Sequence, residues 1–189
     1  MRHGRGFSLL ELVIVIVIIS LLLTFAIDRL LLLRVEAERV AMQQTLGSLR
    51  SGLSIGVAEL ISRGRPMDAA KSVGSNPMNR LAEKPDNYLG ELYGPDPAAL
   101  EPGSWYFDSR DRVLVYLVRN AEYFSSPLPG PARARFAIRP DFDDRNGNGR
   151  YDPAVDELRG LRLAALEPFS WNDGASRAVL DTFKGAGPQ

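Results

Sequence analysis

An α+β fold, with one long N-terminal helix laid on a C-terminal antiparallel sheet of about four strands, is predicted by three features of the sequence. An apolar run with a single carboxylate, Glu11, inside it extends from Phe7 to Ile27. Apolar residues then recur at helical steps from Met42 to Leu60, and aromatic and β-branched runs begin only after Ser104. Helical periodicity followed by strand-like runs places one element type after the other, and neither could bury its apolar face alone.

The first element is a spanning helix. Phe7 to Ile27 covers about 21 residues, which at ~1.5 Å per residue reaches ~31 Å, one hydrocarbon thickness. Arg2, His3 and Arg5 precede it without an acid, which predicts an N-terminus kept on the cytoplasmic side and a remainder that crosses. Asp28-Arg29 marks the outer interface, where the two can snorkel as a pair, and Leu30 to Leu33 carry the helix on to Arg34. Glu11 lies inside the span. An ionised acid at the bilayer centre costs about 2.5 to 3.5 kcal/mol on insertion scales, so it calls for a partner or a role. It stands four residues after Phe7 and so shares its helical face. A cut between Gly6 and Phe7 would set a new α-amine near that carboxylate.

The segment Gly6-Phe7-Ser8-Leu9-Leu10-Glu11-Leu12, behind a basic leader and ahead of a spanning run, resembles the type III signal sequence of type IV pilins and type II secretion pseudopilins. The resemblance implies that a membrane-embedded prepilin peptidase cuts after Gly6 and N-methylates Phe7. It also implies that Glu11 registers incoming subunits as the filament assembles. Partners so implied are the peptidase, other pilin-like subunits, an inner-membrane assembly platform and the membrane itself. The chain would be single-pass in the inner membrane, with its globular part periplasmic and later in a periplasmic or surface filament. Major pilins and the main pseudopilin commonly carry proline where this chain has Asp28, and that departure points to a minor subunit. The resemblance leads to a minor pseudopilin of a type II secretion system, with a minor type IV pilin as the alternative. An ordinary signal anchor, with Glu11 near the cytoplasmic interface, is the reading that needs no family.

The second element is an amphipathic stem. Met42, Leu46, Leu49, Leu53, Val57 and Leu60 follow steps of four, three, four, four and three, with polar residues between. Gly64-Arg65-Pro66 stops it, since glycine suits a helix C-terminus and proline cannot continue one. Gly47, Gly52 and Gly56 cost roughly 1 kcal/mol each against alanine, so they mark either bends or close backbone contacts. The chain therefore divides into a leader at 1–6, a transmembrane helix at 7–33, a stem at 34–63, a loop-rich connection at 64–103, a sheet at 104–173 and a tail at 174–189. Within the connection, a short helix from Met78 to Glu83 and an extended pass over Tyr88 to Tyr93 are expected. Asn87 to Glu91 with Pro102 to Asp108 resembles a pattern that recurs among pilin-like proteins.

The strands follow. Trp105-Tyr106-Phe107 and Val113 to Val118 flank Asp108 to Arg112, which reads as a hairpin loop. Ala134 to Arg139 alternates Phe136 and Ile138 with Arg135 and Arg139, giving one buried and one wet face. A fourth strand is predicted between Gly160 and Ala165, extending toward Trp171.

Composition narrows what the domain can do. The 23 basic residues balance 23 acidic ones, and there is no cysteine. The single histidine, His3, lies in the proposed leader. No disulfide can staple the fold, thiol and imidazole chemistry is absent after cleavage, and no catalytic constellation stands out. No basic stripe is visible, so nucleic acid is not an expected partner. The one metal-like feature is 141–157. From Asp144, oxygen side chains stand at the first, third and fifth places (Asp144, Asn146, Asn148), with Gly149 at the sixth and Asp152 at the ninth, as in the first half of an EF-hand loop. The predicted Ca²⁺ ligands are Asp144, Asn146, Asn148, the Arg150 carbonyl, Asp152 and Asp156, with Asp143 or Glu157 as alternative closing acids. The twelfth place is Val155, so the closing acid is displaced. A polar turn between two strands explains the same residues without a metal.

Overall fold

The computed structural model describes residues 8–172, so the leader, Phe7 and the tail from 173 lie outside the described residues. The chain divides into two units, Met1–Ala37 and Glu38–Gln189.

Helix α1 spans Leu9–Ser62. In the first unit Ser8 starts it: its Oγ accepts the Glu11 backbone N–H at 3.2 Å, and its carbonyl accepts that of Leu12 at 3.1 Å. Ser8-Leu9-Leu10-Glu11 thus has the capping spacing, with an acid at the third helical position, where the helix dipole favours negative charge. The stretch Leu9–Ile27 has a mean hydropathy of 3.0 and none of it is buried. Its hydroxyls are satisfied internally, Ser20 donating to the Ile16 carbonyl at 2.8 Å and Thr24 to that of Ser20 at 3.0 Å. No polar side-chain group of theirs is left to seek a partner in an apolar surrounding.

In the second unit the first four residues of the stripe face the core, whereas Val57 and Leu60 are half-buried. Met42, Leu46, Leu49 and Leu53 are buried and pack with Trp105, Phe107, Leu114, Tyr116, Phe136, Ile138 and Leu163 of the sheet. Burying each such side chain stabilises by about 1.5 to 3 kcal/mol. The C-terminus closes as predicted: Gly64 takes φ 70°, its N–H donates to the Ile61 carbonyl at 2.9 Å, and Arg65 N–H donates to that of Leu60 at 2.8 Å. This is the paired bonding that a left-handed glycine permits.

The sheet has five strands in the order β1, β2, β3, β5, β6. These are β1 Tyr88–Leu92, β2 Trp105–Asp108, β3 Val113–Leu117, β5 Arg133–Asp143 and β6 Glu157–Ala165. A separate pair joins β4 Phe124–Ser125 to β7 Ser170–Trp171. The predicted antiparallel set is present as β2, β3, β5 and β6. The addition is β1, the predicted extended pass, which pairs parallel to β2 with a register shift between Tyr88 and Glu91. Gly90 within it has φ 99°, and such an irregular edge strand carries little periodic signal. The extension toward Trp171 is not part of β6 but the separate strand β7. The short helix expected from Met78 to Glu83 is instead a 3-10 turn at Pro77–Arg80, started by the Asn76 side chain accepting Met78 N–H.

β3 is buried throughout, because the sheet is covered on both sides. Tyr106, Val113, Val115 and Leu117 form a second apolar cluster on the face away from α1, under Leu92, Leu100 and Leu166. That cover explains why Val113 to Val118 reads as a continuous apolar run rather than an alternating one.

Two contacts tie α1 to the rest of this unit. Glu38 accepts from Tyr116 Oη at 3.0 Å, Arg119 N at 2.6 Å, Asn120 N at 3.0 Å and Asn120 Nδ2 at 2.5 Å. Burial, and next the Glu38 charge, push the Tyr116 hydroxyl well above its ordinary value of 10.0. Further along, a Cβ on Gly52 would meet the Arg80 carbonyl oxygen at 3.0 Å and one on Gly56 would meet Arg80 Nη1 at 3.3 Å, whereas one on Gly47 would meet nothing within 4 Å. Close approach of backbone is thus the reason for Gly52, whereas at Gly56 the neighbour is the end of a flexible side chain that can give way.

Glu38→Ala is expected to destabilise the globular unit by about 1 to 3 kcal/mol, since the buried Tyr116 hydroxyl and the half-buried Asn120 lose a charged acceptor; urea melts followed by tryptophan fluorescence measure this. Because the folded state holds Tyr116 protonated, that contribution is intact below about pH 10 and lost as the pH rises through the raised folded value. The glycines give an opposed pair. Gly47→Ala should stabilise by about 0.5 to 1 kcal/mol through helix propensity, while Gly52→Ala should destabilise by about 1 to 3 kcal/mol through overpacking. Equal effects of the two would refute the close-contact account.

Candidate functional site

Two regions were marked by the sequence, and the structure treats them differently. Gly6 and Phe7, the processing pair, lie outside the described residues. Glu11 is in the first turn of α1 and exposed, with Ser8 capping the same turn. The acid is thus held at the mouth of the apolar stretch, with neighbouring Leu9, Leu10 and Leu12 at 82%, 69% and 53% exposure. Such a contiguous apolar surface, with one acid at its start, suits a lipid or helical environment rather than water. The Ser8-to-Glu11 capping bond was legible in the S-x-x-E spacing, although the sequence reading used these residues only as a recognition motif.

The loop between β5 and β6 places the predicted metal ligands in one turn, but closes it with its own amides. Asp144 Oδ1 accepts Gly147 N–H at 2.7 Å and Asn148 N–H at 3.2 Å, and Oδ2 accepts Gly149 N–H at 2.7 Å. Asn146 accepts Asn148 N–H at 3.1 Å, and Asn148 accepts Arg150 N–H at 2.7 Å. Gly147 and Gly149 take φ values of 71° and 70°, the left-handed conformation that lets successive N–H groups turn inward. Asp152 accepts Ala154 N–H at 3.1 Å. Asp156 is buried and joins the loop's two ends, accepting Arg145 N–H at 3.0 Å and Asp152 N–H at 2.7 Å.

The alternative closing acids face arginines instead. Asp143 pairs with Arg159 at 3.1 Å and Glu157 with Arg145 at 2.6 Å. Among the described residues, no three acids or histidines gather closely enough to hold a metal ion. In this arrangement Asp144, Asn146, Asn148 and Asp152 behave as Asx turns, each capping an amide two to five positions on, while Asp156 reaches back to the amides of Arg145 and Asp152.

Glu38 was missed by the sequence reading. Its signal was its position four residues before Met42, which puts a carboxylate on the buried face of the stem. A buried-face acid needs donors, and these come from residues 116 to 120, distant in sequence.

Residues 1–27 match the family model described as the prokaryotic N-terminal methylation motif. No curated protein and no solved structure matches the chain. With that motif leading into an exposed apolar helix and a helix-and-sheet unit beyond, the chain carries a prepilin-type N-terminus and is consistent with the type IV pilin-like and pseudopilin family.

Proposed function

We propose that this chain is a non-enzymatic structural subunit of a pilus-like filament, a minor pseudopilin of a type II secretion system. The observation that carries the reading is the methylation motif at residues 1–27 continuing into an apolar helix, Leu9–Ile27, of which nothing is buried among the described residues. In this reading prepilin peptidase cuts between Gly6 and Phe7 and methylates Phe7. The helix anchors the subunit in the inner membrane with its N-terminus cytoplasmic and the sheet unit periplasmic. An assembly platform then delivers it to neighbouring subunits. Glu11, four residues from the new amine, offers that cation a counter-charge within the apolar surrounding, where an unpaired charge is costly. The minor rank rests on Asp28 standing where the main subunits have proline.

Calcium at the β5 to β6 loop is the second part of the proposal. It rests on the spacing of Asp144, Asn146, Asn148 and Asp152, and a carboxylate that accepts amide bonds keeps lone pairs for an ion. Bound there, Ca²⁺ would be structural, bracing a loop that has no disulfide to brace it.

Mass spectrometry of the protein from cells containing the peptidase should show a methylated chain starting at Phe7; an intact Met1 or another start would defeat the processing claim. Glu11→Ala should leave the mature N-terminus unchanged yet reduce recovery in sheared filaments at least ~10-fold, the loss expected when one charge pair in an apolar setting goes missing. For the loop, Ca²⁺ against chelator should shift the melting temperature upward by a few degrees, about 1 kcal/mol or more of linkage at millimolar calcium, and Asp144→Ala should abolish the shift. Asp156→Ala should destabilise by about 1 to 3 kcal/mol with or without calcium, because it strands two amides. No calcium shift in the unaltered chain leaves the turn alone.

A further inference from the structure

Asparagine precedes glycine at two places in the chain, Asn146-Gly147 and Asn148-Gly149, both in the exposed loop between β5 and β6. Such a pair has a reaction of its own. The glycine backbone nitrogen attacks the asparagine side-chain carbonyl carbon and a C–N bond forms. The bond to the side-chain nitrogen breaks, and that nitrogen leaves as ammonia with the proton that the backbone nitrogen gives up. Water then opens the succinimide to an aspartyl or an isoaspartyl residue. Glycine suits the step because no Cβ obstructs the approach of its nitrogen.

Each group that the reaction needs is engaged in this loop. The Gly147 N–H donates to Asp144 Oδ1 at 2.7 Å and the Gly149 N–H to Asp144 Oδ2 at 2.7 Å. One carboxylate thus holds both attacking nitrogens, one on each oxygen. The side chains under attack are held as well, Asn146 accepting Asn148 N–H at 3.1 Å and Asn148 accepting Arg150 N–H at 2.7 Å. A backbone nitrogen bonded to an anion keeps its proton, because a negative charge at hydrogen-bond distance disfavours a second one on the nitrogen. No neighbouring element packs on the two glycines to shield them: a Cβ at either would meet nothing within 4 Å. The bonds that shape the turn therefore also have a chemical consequence.

We propose that Asn146 and Asn148 form a latent deamidation site and that Asp144 is the clamp that keeps it closed. Opening of the clamp lets the loop age. Each event replaces a neutral amide by a carboxylate in a loop that already carries Asp143, Asp144, Asp152, Asp156 and Glu157. An isoaspartyl product also lengthens the backbone between β5 and β6 by a carbon. This inference stands apart from the filament and calcium readings and rests on the hydrogen bonds of the loop alone.

The test holds the full chain in detergent micelles at neutral pH, with chelator present so that calcium has no part in the outcome. Peptide mapping by mass spectrometry follows conversion at Asn146 and Asn148 over days. The unaltered chain is expected to convert at least ~10-fold more slowly than a free peptide of sequence 141–157. Asp144→Ala should speed conversion at both asparagines at least ~10-fold, the factor expected when charge-assisted hydrogen bonds are lost. Asp144→Asn, which retains one acceptor oxygen, should fall between the two. Asp156→Ala controls for loop order: it frees the Arg145 and Asp152 amides at the loop's ends but leaves both glycine amides on Asp144, so its rate should stay close to that of the unaltered chain. The proposal is overturned if the unaltered chain converts at the peptide's rate or if Asp144→Ala converts no faster. It is also overturned if Asp156→Ala matches Asp144→Ala, which would assign the protection to the general order of the loop.

Discussion

The packing of one helical stripe on one face of the sheet is the interaction on which the globular unit depends. Met42, Leu46, Leu49 and Leu53 meet Trp105, Leu114, Phe136 and Ile138 in a single cluster, and removing either partner would leave the other's apolar face in water. The stripe is not unique along its own axis, however. Its steps of four and three continue through Val57 and Leu60, so a slide of one turn would bring another apolar residue to each place. Directional contacts break that degeneracy. Glu38 must lie within reach of Tyr116, Arg119 and Asn120, and Gly52 must lie under the Arg80 backbone.

A chain without cysteine needs other long-range fasteners, and short buried polar side chains supply them. Asn76 is buried, accepts Met78 N–H, and donates to Tyr88 Oη at 2.7 Å and Glu91 at 2.8 Å, binding the 3-10 turn to β1. Asp108 is buried and accepts from Gly94 N at 3.0 Å and Arg110 N at 2.9 Å, fastening the β1 exit to the β2–β3 turn. Asp156 does the same for the loop between β5 and β6. Each hub satisfies several hydrogen-bond partners at once, which is the condition under which a buried polar group stabilises rather than costs. Among the described residues no buried side-chain nitrogen or oxygen lacks a partner.

The two units obey opposite rules of burial. Glu38–Gln189 hides its apolar residues on both faces of its sheet, whereas Leu9–Ile27 hides none of its own. Such a contiguous apolar stretch suits lipid or other helices better than water, and with the methylation motif at the same residues it fits the membrane anchor of a prepilin-like protein.

By itself the sequence determined whatever depends on local period and backbone chemistry. The apolar run, the stem stripe, its Gly64 stop and the four antiparallel strands are each written in adjacent residues, and the prepilin motif is a contiguous string. Tertiary structure alone decided the rest, for one physical reason: those features depend on partners far apart in the chain. β1 joins the sheet because β2 offers its edge, not because Tyr88 to Leu92 alternates strongly. Glu38 is a fastener only once the end of β3 and the residues after it arrive beside it. The Asp144 loop is the local exception: its spacing is metal-like, yet its side chains turn to amides two to five residues on because Gly147 and Gly149 bring those amides inward.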